Sequence, residues 1–249
     1  MVEADGSLPL LAPMSEVAGR LAITIAGNLL MRNAGGSGML LGGVTGVPPA
    51  RGVVLGAGTA GAQAARMAAG AGAEVTVVNR GLPRLRALEA QLPGRIRTRP
   101  STQAAIEQEL AQADVVIGAA LVAGAATPKL VSRAALATMK PRSVLIDISI
   151  DQGGCFETSR PTTHAEPTFE VDGILHYCVA NMPGAVPRTS SHALNLATLP
   201  YALALADRGL AALRGDAALR AGLNALAGQV THPAVAAALG REFVEPERA

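Results

Sequence analysis

A glycine-rich hexapeptide is the strongest chemical signal in the sequence. It reads Gly56-Ala57-Gly58-Thr59-Ala60-Gly61 and lies between an apolar stretch that predicts a strand and an Ala-rich stretch that predicts a helix. Its glycines let the backbone turn tightly, approach a pyrophosphate and pack the helix on the strand, while the helix amino terminus supplies N–H donors and positive potential. A second β-branched run follows at residues 74–78, as a βαβ unit requires. The spacing therefore predicts a dinucleotide-binding site.

The end of the second predicted strand bears on the choice of dinucleotide. It carries Asn79 and Arg80, where folds that bind NAD place an Asp or Glu on the adenosine ribose. Asparagine can hydrogen-bond a hydroxyl but has no charge to repel a 2′-phosphate. Arg80 and Arg84 can bind such a phosphate. NAD and NADP both remain open as coenzymes.

Polar side chains follow the fifth and sixth predicted strands. Asp147 and Asp151 come at the end of the fifth strand, and Asn181-Met182 follows the sixth. The carboxyl ends of parallel strands form the crevice in which the nicotinamide would lie. Because Asp147 is expected inside the strand, Asp151, which precedes two glycines, is the better candidate for contact with substrate.

Other residue types with catalytic potential form no recognisable pattern. The histidines lack metal-ligand spacing, and no Ser lies in a GxSxG motif; the four are His164, His176, His192 and His232. Cys155 and Cys178 form no CxxC pair and are expected in the core. Lys129 and Lys140 are expected away from the crevice. No metal site is predicted.

Composition excludes several classes of protein. Apolar residues make up 49% of the 249 residues, which excludes a disordered chain. Because the chain has no Trp, two Tyr, three Phe and a net charge of only +2, we expect no nucleic-acid partner. The longest uncharged apolar runs have about a dozen residues, fewer than a bilayer span needs, and the acidic amino terminus lacks the features of a secretion signal. We therefore expect a cytoplasmic protein without a membrane partner.

From residue 51 onward, short β-branched runs alternate with Ala-rich stretches, which predicts a doubly wound parallel sheet of the Rossmann type. Strands are predicted over residues 52–55, 74–78, 95–98, 114–118, 143–148 and 175–179, with helices between the first five. The domain itself is expected over residues 36–187, after an entry helix or linker in residues 1–35 with a helix over 14–33. Residues 188–249 predict helices over 193–210 and 216–227, with a kink or break at Pro200.

Several long strings of the sequence resemble bacterial alanine dehydrogenase. They are LPLLAPMSEVAGR at 8–20, LLGGVTGVPPARGVVLGAGTAG at 40–61, DQGGCFETSRPTTH at 151–164, HYCVANMPGAVPRTSSHAL at 176–194 and VTHPAVAAALG at 230–240. The hydride-transferring subunit of nicotinamide nucleotide transhydrogenase is similar at a greater distance. The resemblance implies interconversion of L-alanine, NAD and water with pyruvate, ammonia and NADH. It also implies a homo-oligomer.

The resemblance further implies roles for single residues. Asp151 matches the active-site aspartate that contacts substrate and assists proton transfer, and Asn181 and Met182 match the loop beside the nicotinamide. Asp151 and Asn181 are therefore the candidate catalytic residues. Further matches to coenzyme-contacting positions are Ser15, Ser101 near the adenine, Arg84 beside the adenosine ribose, and Leu121 and Ile148 around the nicotinamide and its ribose.

Two departures from the family pattern qualify this expectation. Asn79 stands where the family has an Asp, and no residue here matches the Arg, Lys and His that bind and protonate the substrate in the family's amino-terminal part. The expectation is thus an alanine-dehydrogenase-type oxidoreductase whose residues 188–249 are the helical part of an incomplete substrate domain. One alternative is an NAD(P)-binding module without catalysis of its own, completed by another chain. The other is a dehydrogenase of a different amino or keto acid.

Overall fold

A seven-stranded sheet organises the larger of two units in the protein. The computed structural model describes residues 1–3, 5–121 and 127–246. Ser15–Pro187 forms the larger unit, and Met1–Met14 with Arg188–Ala249 forms the smaller one.

The sheet has the strand order β3-β2-β1-β4-β5-β7-β6. Its strands are β1 (Arg51–Leu55), β2 (Glu74–Asn79), β3 (Arg97–Pro100), β4 (Val115–Gly118), β5 (Val144–Asp147), β6 (Thr168–Val171) and β7 (Ile174–Tyr177). All pair in parallel except β6, which is antiparallel to β7. Because β1 pairs with both β2 and β4, the order reverses there and opens a crevice at the carboxyl ends of these strands. The predicted doubly wound fold is confirmed.

Helices cover both faces of this sheet. In the larger unit they are α1 (Ala12–Leu29), α2 (Thr59–Gly70), α3 (Leu82–Gln91), α4 (Gln103–Leu110) and α5 (Arg133–Leu136). Alternate residues of one strand point to opposite faces. Val54 therefore packs in a core with Ala22 and Ala64, whereas Leu55 packs in a second core with Leu110. Buried on both sides, the central strands need the near-continuous apolar runs that the sequence shows.

The two outermost strands of the sheet differ from the sequence prediction. β3 begins at Arg97 instead of residue 95, and β6 was not predicted at all. β6 reads TFEV and is only partly buried, so it lacks the apolar run of a central strand. Asp172 and Gly173, both with positive φ, turn the chain from β6 into β7. A short polar edge strand of this kind gives little periodic signal.

The smaller unit is mainly helical. Its elements are α6 (Pro187–Arg208), α7 (Ala212–Gly215), α8 (Ala217–Ala221), β8 (Ala225–Leu226), β9 (Gln229–Val230) and α9 (Pro233–Leu239). The helix predicted over 216–227 is wrong beyond Ala221, because Ala227 and Gly228 adopt positive φ and form a tight hairpin between β8 and β9. Of the two outcomes expected at Pro200, the break is wrong: α6 runs through Pro200 as one helix. Pro200 has no N–H to donate to the carbonyl of Leu196, a residue that is 75% exposed.

One stretch of the smaller unit meets a length-and-composition criterion for a membrane span. It is Pro187–Gly215, of which only 6% of the apolar window is buried. Counting uninterrupted apolar runs missed it, because Ser, Thr and Asn separate its leucines. The expectation that no segment is long and apolar enough to cross a membrane is therefore corrected. A single helix of this kind is weak evidence of a membrane span.

Candidate coenzyme and active site

The glycine hexapeptide forms a tight turn between β1 and α2. Gly56 has φ +111°, and a Cβ built on it would lie 2.5 Å from the Ala119 carbonyl oxygen. A Cβ on Gly61 would lie 1.9 Å from the Gly56 oxygen. Neither position has space for a side chain. The turn thus brings the amino end of α2 close to the end of β4, across the point where the strand order reverses.

The amino end of α2 has no capping side chain. Gly58 occupies the cap position without a side-chain hydrogen bond, and the exposed Thr59 begins the helix. First-turn N–H groups of a helix lack intrahelical partners, and together with the helix dipole they favour an anion. The geometry suits the pyrophosphate of a dinucleotide.

α1 packs directly on the start of α2. A Cβ on Gly19 would lie 2.1 Å from the Ala60 oxygen, and Arg20 Nε donates to Gln63 Oε1 at 3.0 Å. Ser15 is one turn before Gly19 on the same helix. Because α1 begins at Ala12, Ser15 lies in the first turn of the helix and does not cap its start.

Asn79 connects the end of β2 to the glycine turn. Its Oδ1 accepts the Ala57 N–H at 3.0 Å, and its Nδ2 donates to the Gly81 oxygen at 2.9 Å. The Ser101 N–H donates to the Asn79 backbone oxygen at 3.1 Å, which places Ser101 beside it. The carboxamide therefore supports the turn itself, a role that sequence reasoning missed.

The two arginines predicted near the adenosine end are both exposed. Arg84 Nη1 lies 3.8 Å from the point where a Gly58 Cβ would be, so its guanidinium is beside the amino end of α2. Arg80 directly follows β2. The structure thus brings both cations to the part of the crevice that borders Asn79.

The ends of β4 and β5 bring together the residues predicted near the nicotinamide. Leu121, three residues after β4, is 47% exposed, and Ile148 directly after β5 is half-buried and donates its N–H to the Gly118 oxygen at 2.8 Å. Asp151 is exposed on the short 3₁₀ turn Ile150–Gln152. Ser149 Oγ joins the two loops by donating to the Ala120 oxygen at 2.7 Å.

Asp147 is the last residue of β5 and is completely buried. Its carboxylate accepts hydrogen bonds from the loop that carries Asp151, and burial raises its pKa. Burial likewise raises the pKa of the neighbouring Cys155 thiol to about 12, so this cysteine is a core residue rather than a nucleophile at neutral pH. Cys178, also buried, has its pKa raised to about 12 by the same cause.

Lys129 lies against the same loop, contrary to the expectation that both lysines lie away from the crevice. Its Nζ donates to the oxygens of Gly153 and Phe156, the second at 3.1 Å. No local motif announces this contact, because 24 and 27 residues separate the partners. Lys140 does lie elsewhere, paired with Asp114 at 2.8 Å.

Asn181 and Met182 follow β7 at the same edge of the sheet. Asn181 is exposed with φ +53°, whereas Met182 is buried. His164 Nε2 lies 3.2 Å from the Asn181 backbone oxygen, so this histidine also borders the crevice.

The buried His176 is in β7, between Thr158 Oγ1 at 2.8 Å and the Ile174 oxygen at 2.9 Å. Among the residues the structure describes, no group of three His, Cys, Asp or Glu could hold a metal ion.

The open parallel sheet, the glycine turn and the uncapped α2 define a dinucleotide-binding protein of the Rossmann type. A family model described as alanine dehydrogenase/PNT, C-terminal domain, matches residues 22–233. The chain therefore belongs to the alanine dehydrogenase/PNT family.

Individual relatives agree with this assignment. Alanine dehydrogenase of Halomonas elongata is 57% identical over 97% of this chain and 65% of the relative. Alanine dehydrogenase of Mycobacterium tuberculosis is 57% identical over 98% of this chain and 66% of the relative. A solved L-alanine dehydrogenase superposes with a TM-score of 0.93 at 47% identity, over 96% of this chain and 66% of that one. The chain thus spans about two thirds of the length of these relatives.

Proposed function

We propose that the chain is the coenzyme-binding part of an alanine dehydrogenase, which oxidatively deaminates L-alanine to pyruvate and ammonia. A bound nicotinamide dinucleotide would supply the hydride acceptor for this oxidation. Two observations together support the proposal: the chain is 57% identical to an alanine dehydrogenase, and its glycine turn has no space for a side chain at Gly56 or Gly61. We take residues 36–187 as the dinucleotide-binding domain.

The residues at the crevice fit such a coenzyme from end to end. The adenosine end is assigned to Asn79, Arg80, Arg84 and Ser101, and the pyrophosphate to the first turn of α2 with Ser15 nearby. The nicotinamide end is assigned to Leu121, Ile148, Asp151, Asn181 and Met182. The apolar side chains in this last group would exclude water, and Asp151 would hold the substrate and exchange a proton with it.

NAD is the proposed coenzyme, with NADP tolerated. The family resemblance favours NAD, but Asn79 brings no negative charge to the adenosine ribose. Arg84 and Arg80 are exposed beside it and can pair with a 2′-phosphate. The balance between the two coenzymes therefore depends on one carboxamide and two guanidiniums.

The smaller unit supports a proposal about association. α6 exposes a row of leucines at 3- and 4-residue spacing: Leu196 (75%), Leu199 (44%) and Leu203 (52%). Such a row is the usual seam between two helices. We infer that protein covers it, either in a homo-oligomer or from a complementing chain, and that the protein works in the cytoplasm.

Alanine-dependent reduction of NAD, followed at 340 nm, tests the function. The 249-residue chain is assayed alone and after mixing with the substrate-domain segment of a relative. We expect NADH formation only in the mixture, because no residue here matches those that bind the substrate carboxylate in the family. Coenzyme binding without turnover in either sample would favour the alternative, a binding module without catalysis.

A further inference from the structure

We propose that Asp147 is a positioning residue whose carboxylate shapes the loop of residues 148–157 and so presents Asp151 to the nicotinamide end of the crevice. The proposal rests on the proposed function for where the nicotinamide lies. Asp147 itself has no exposed surface, so it does not touch substrate or coenzyme.

Both oxygens of the carboxylate accept backbone hydrogen bonds from the loop. Oδ1 accepts the Ser149 N–H at 3.1 Å, and Oδ2 accepts the Cys155 N–H at 2.8 Å. Ser159 Oγ also donates to Oδ2, at 2.5 Å. The two backbone donors lie on either side of Asp151, so one side chain fixes both the start and the end of the segment that carries it.

A carboxylate fits this position and a carboxamide does not. Asparagine has one acceptor oxygen and one NH₂ group, and in either orientation the NH₂ would face a backbone N–H of Ser149 or Cys155. A buried N–H left without an acceptor is costly, whereas the shape of the side chain hardly changes. Asp147→Asn therefore alters hydrogen bonding at the loop with little effect on packing.

Two glycines pack closely against the carboxylate. A Cβ on Gly154, which has φ +78°, would lie 2.6 Å from Asp147 Oδ2, and a Cβ on Gly118 would lie 3.2 Å from Oδ1. The glycines are thus required on both sides of the acid. The sequence pair Gly153-Gly154, just after Asp151, is explained by this contact and by the left-handed backbone there.

The other side of the loop is held by the segment that follows β4. The Thr127 N–H donates to the Gln152 oxygen at 2.9 Å, and the Leu130 N–H donates to the Cys155 oxygen at 2.7 Å. Lys129 adds its bonds to Gly153 and Phe156. Asp151 stays exposed between these supports, so the backbone on both sides of it is held while its carboxylate faces solvent.

Asp114 provides a matched control. Asp114 is also a buried aspartate that accepts the Arg51 N–H at 2.8 Å and pairs with Lys140. It precedes β4 and so lies at the amino ends of the strands, away from the crevice. Asp114→Asn should destabilise the same sheet without reaching the 148–157 loop. A general loss of stability is thereby separated from a local effect.

The experiment compares the affinities for NADH and for ADP-ribose, which lacks the nicotinamide, in the wild-type chain and in the Asp147→Asn and Asp114→Asn variants. We expect Asp147→Asn to displace the whole loop, Ile148 as well as Asp151, and so to lower NADH affinity roughly five- to tenfold and ADP-ribose affinity less than about twofold. Asp114→Asn should leave the ratio of the two affinities unchanged. An unchanged ratio in Asp147→Asn, or an equal fall for both ligands, would overturn the proposal.

Hydrogen exchange at the Ser149 and Cys155 amides supplies a readout that needs no ligand. Both amides should exchange faster in Asp147→Asn than in Asp114→Asn, and equal exchange rates would overturn the proposal. This readout holds even if the wild-type chain binds neither ligand and the proposed function fails. If Asp147→Asn does not fold, Ser159→Ala replaces it, because that change removes the hydroxyl that helps to hold Oδ2 in place for the Cys155 N–H. Its Cys155 amide should then exchange at least about twofold faster than in the wild type, and no change there would contradict the proposal.

Discussion

The side chain of Asn79 accepts the backbone N–H of Ala57 at 3.0 Å, which ties the end of β2 to the glycine turn. The position that Rossmann folds normally use to select the ribose therefore also holds the glycine turn in place. Asp can make the same bond with either oxygen, but it cannot donate to the Gly81 oxygen as Asn79 Nδ2 does.

Replacing Asn79 by Asp should move coenzyme preference toward NAD. A carboxylate adds a charged hydrogen bond to the ribose diol and repels a 2′-phosphate, which together should raise the NADH-to-NADPH affinity ratio by roughly 10- to 100-fold. Fluorescence titration with both reduced coenzymes measures the ratio. Asn195→Asp, which adds the same charge on the exposed surface of α6, should leave it unchanged. An identical ratio in Asn79→Asp and wild type would contradict the role assigned to this position.

Asp151→Asn should separate catalysis from coenzyme binding. The carboxylate is exposed at the nicotinamide end, so its loss should lower turnover roughly 100-fold or more and change NADH affinity by no more than a few-fold. Turnover is measured in the mixture with the complementing segment, and affinity in the chain alone. Glu157→Gln, which changes an exposed side chain of the same loop that accepts the Arg133 N–H, serves as the control and should leave turnover unchanged. Normal turnover in Asp151→Asn would assign this residue a structural role.

Acid should destabilise the larger unit through His176. Burial lowers the pKa of this histidine below its ordinary value, so the unfolded state takes up a proton that the folded state resists. The stabilisation is complete above the unfolded pKa of about 6.5 and is lost as the pH falls below it, by at most about 1.4 kcal/mol per pH unit.

Urea unfolding at pH 7.5 and 5.5 measures this loss. The free energy of unfolding should fall between the two pH values in the wild type and fall less in His176→Gln. His192→Gln, at an exposed position of α6, should retain the wild-type dependence. The same pH dependence in all three proteins would show that His176 is not its source.

The leucine row on α6 should mediate association. The 249-residue chain should elute as an oligomer, and the double change Leu196→Gln with Leu203→Gln should shift it to a smaller species, because it removes much of the exposed apolar surface. Light scattering after size-exclusion chromatography gives the mass. Leu40→Gln, which alters a leucine 64% exposed in the larger unit, should not change the mass. A monomeric wild-type chain would contradict this proposal.

Local patterns were sufficient to predict the centre of the sheet and the coenzyme turn. β-branched runs and the GxGxxG spacing express steric requirements of neighbouring residues, such as the contact between Gly56 and Gly61. The hairpin after α8 was missed because Ala227, a good helix former, adopts positive φ there. Local propensity favours a helix at that position, and the turn overrides it.

Contacts between distant residues were beyond local patterns. Lys129 reaches a loop 24 residues away, and the hydrogen bonds of Asp147 depend on the folded shape of residues 148–159. The sequence places Asp147 in the strand correctly, but its role at the loop depends on which donors converge on it. Such convergence follows from the fold and leaves no spacing to recognise.

The proposal that the glycine turn binds a nicotinamide dinucleotide is tested by titration with NADH. The titration compares the wild type with Gly61→Ala and Gly70→Ala. A methyl group on Gly61 would lie 1.9 Å from the Gly56 oxygen and distort the pyrophosphate turn, whereas one on Gly70, at the far end of the same helix, meets nothing within 4 Å. We expect saturable binding in the wild type and in Gly70→Ala, and an affinity at least about tenfold lower in Gly61→Ala. Equal affinity in all three proteins, or no binding to the wild type, would contradict the proposal.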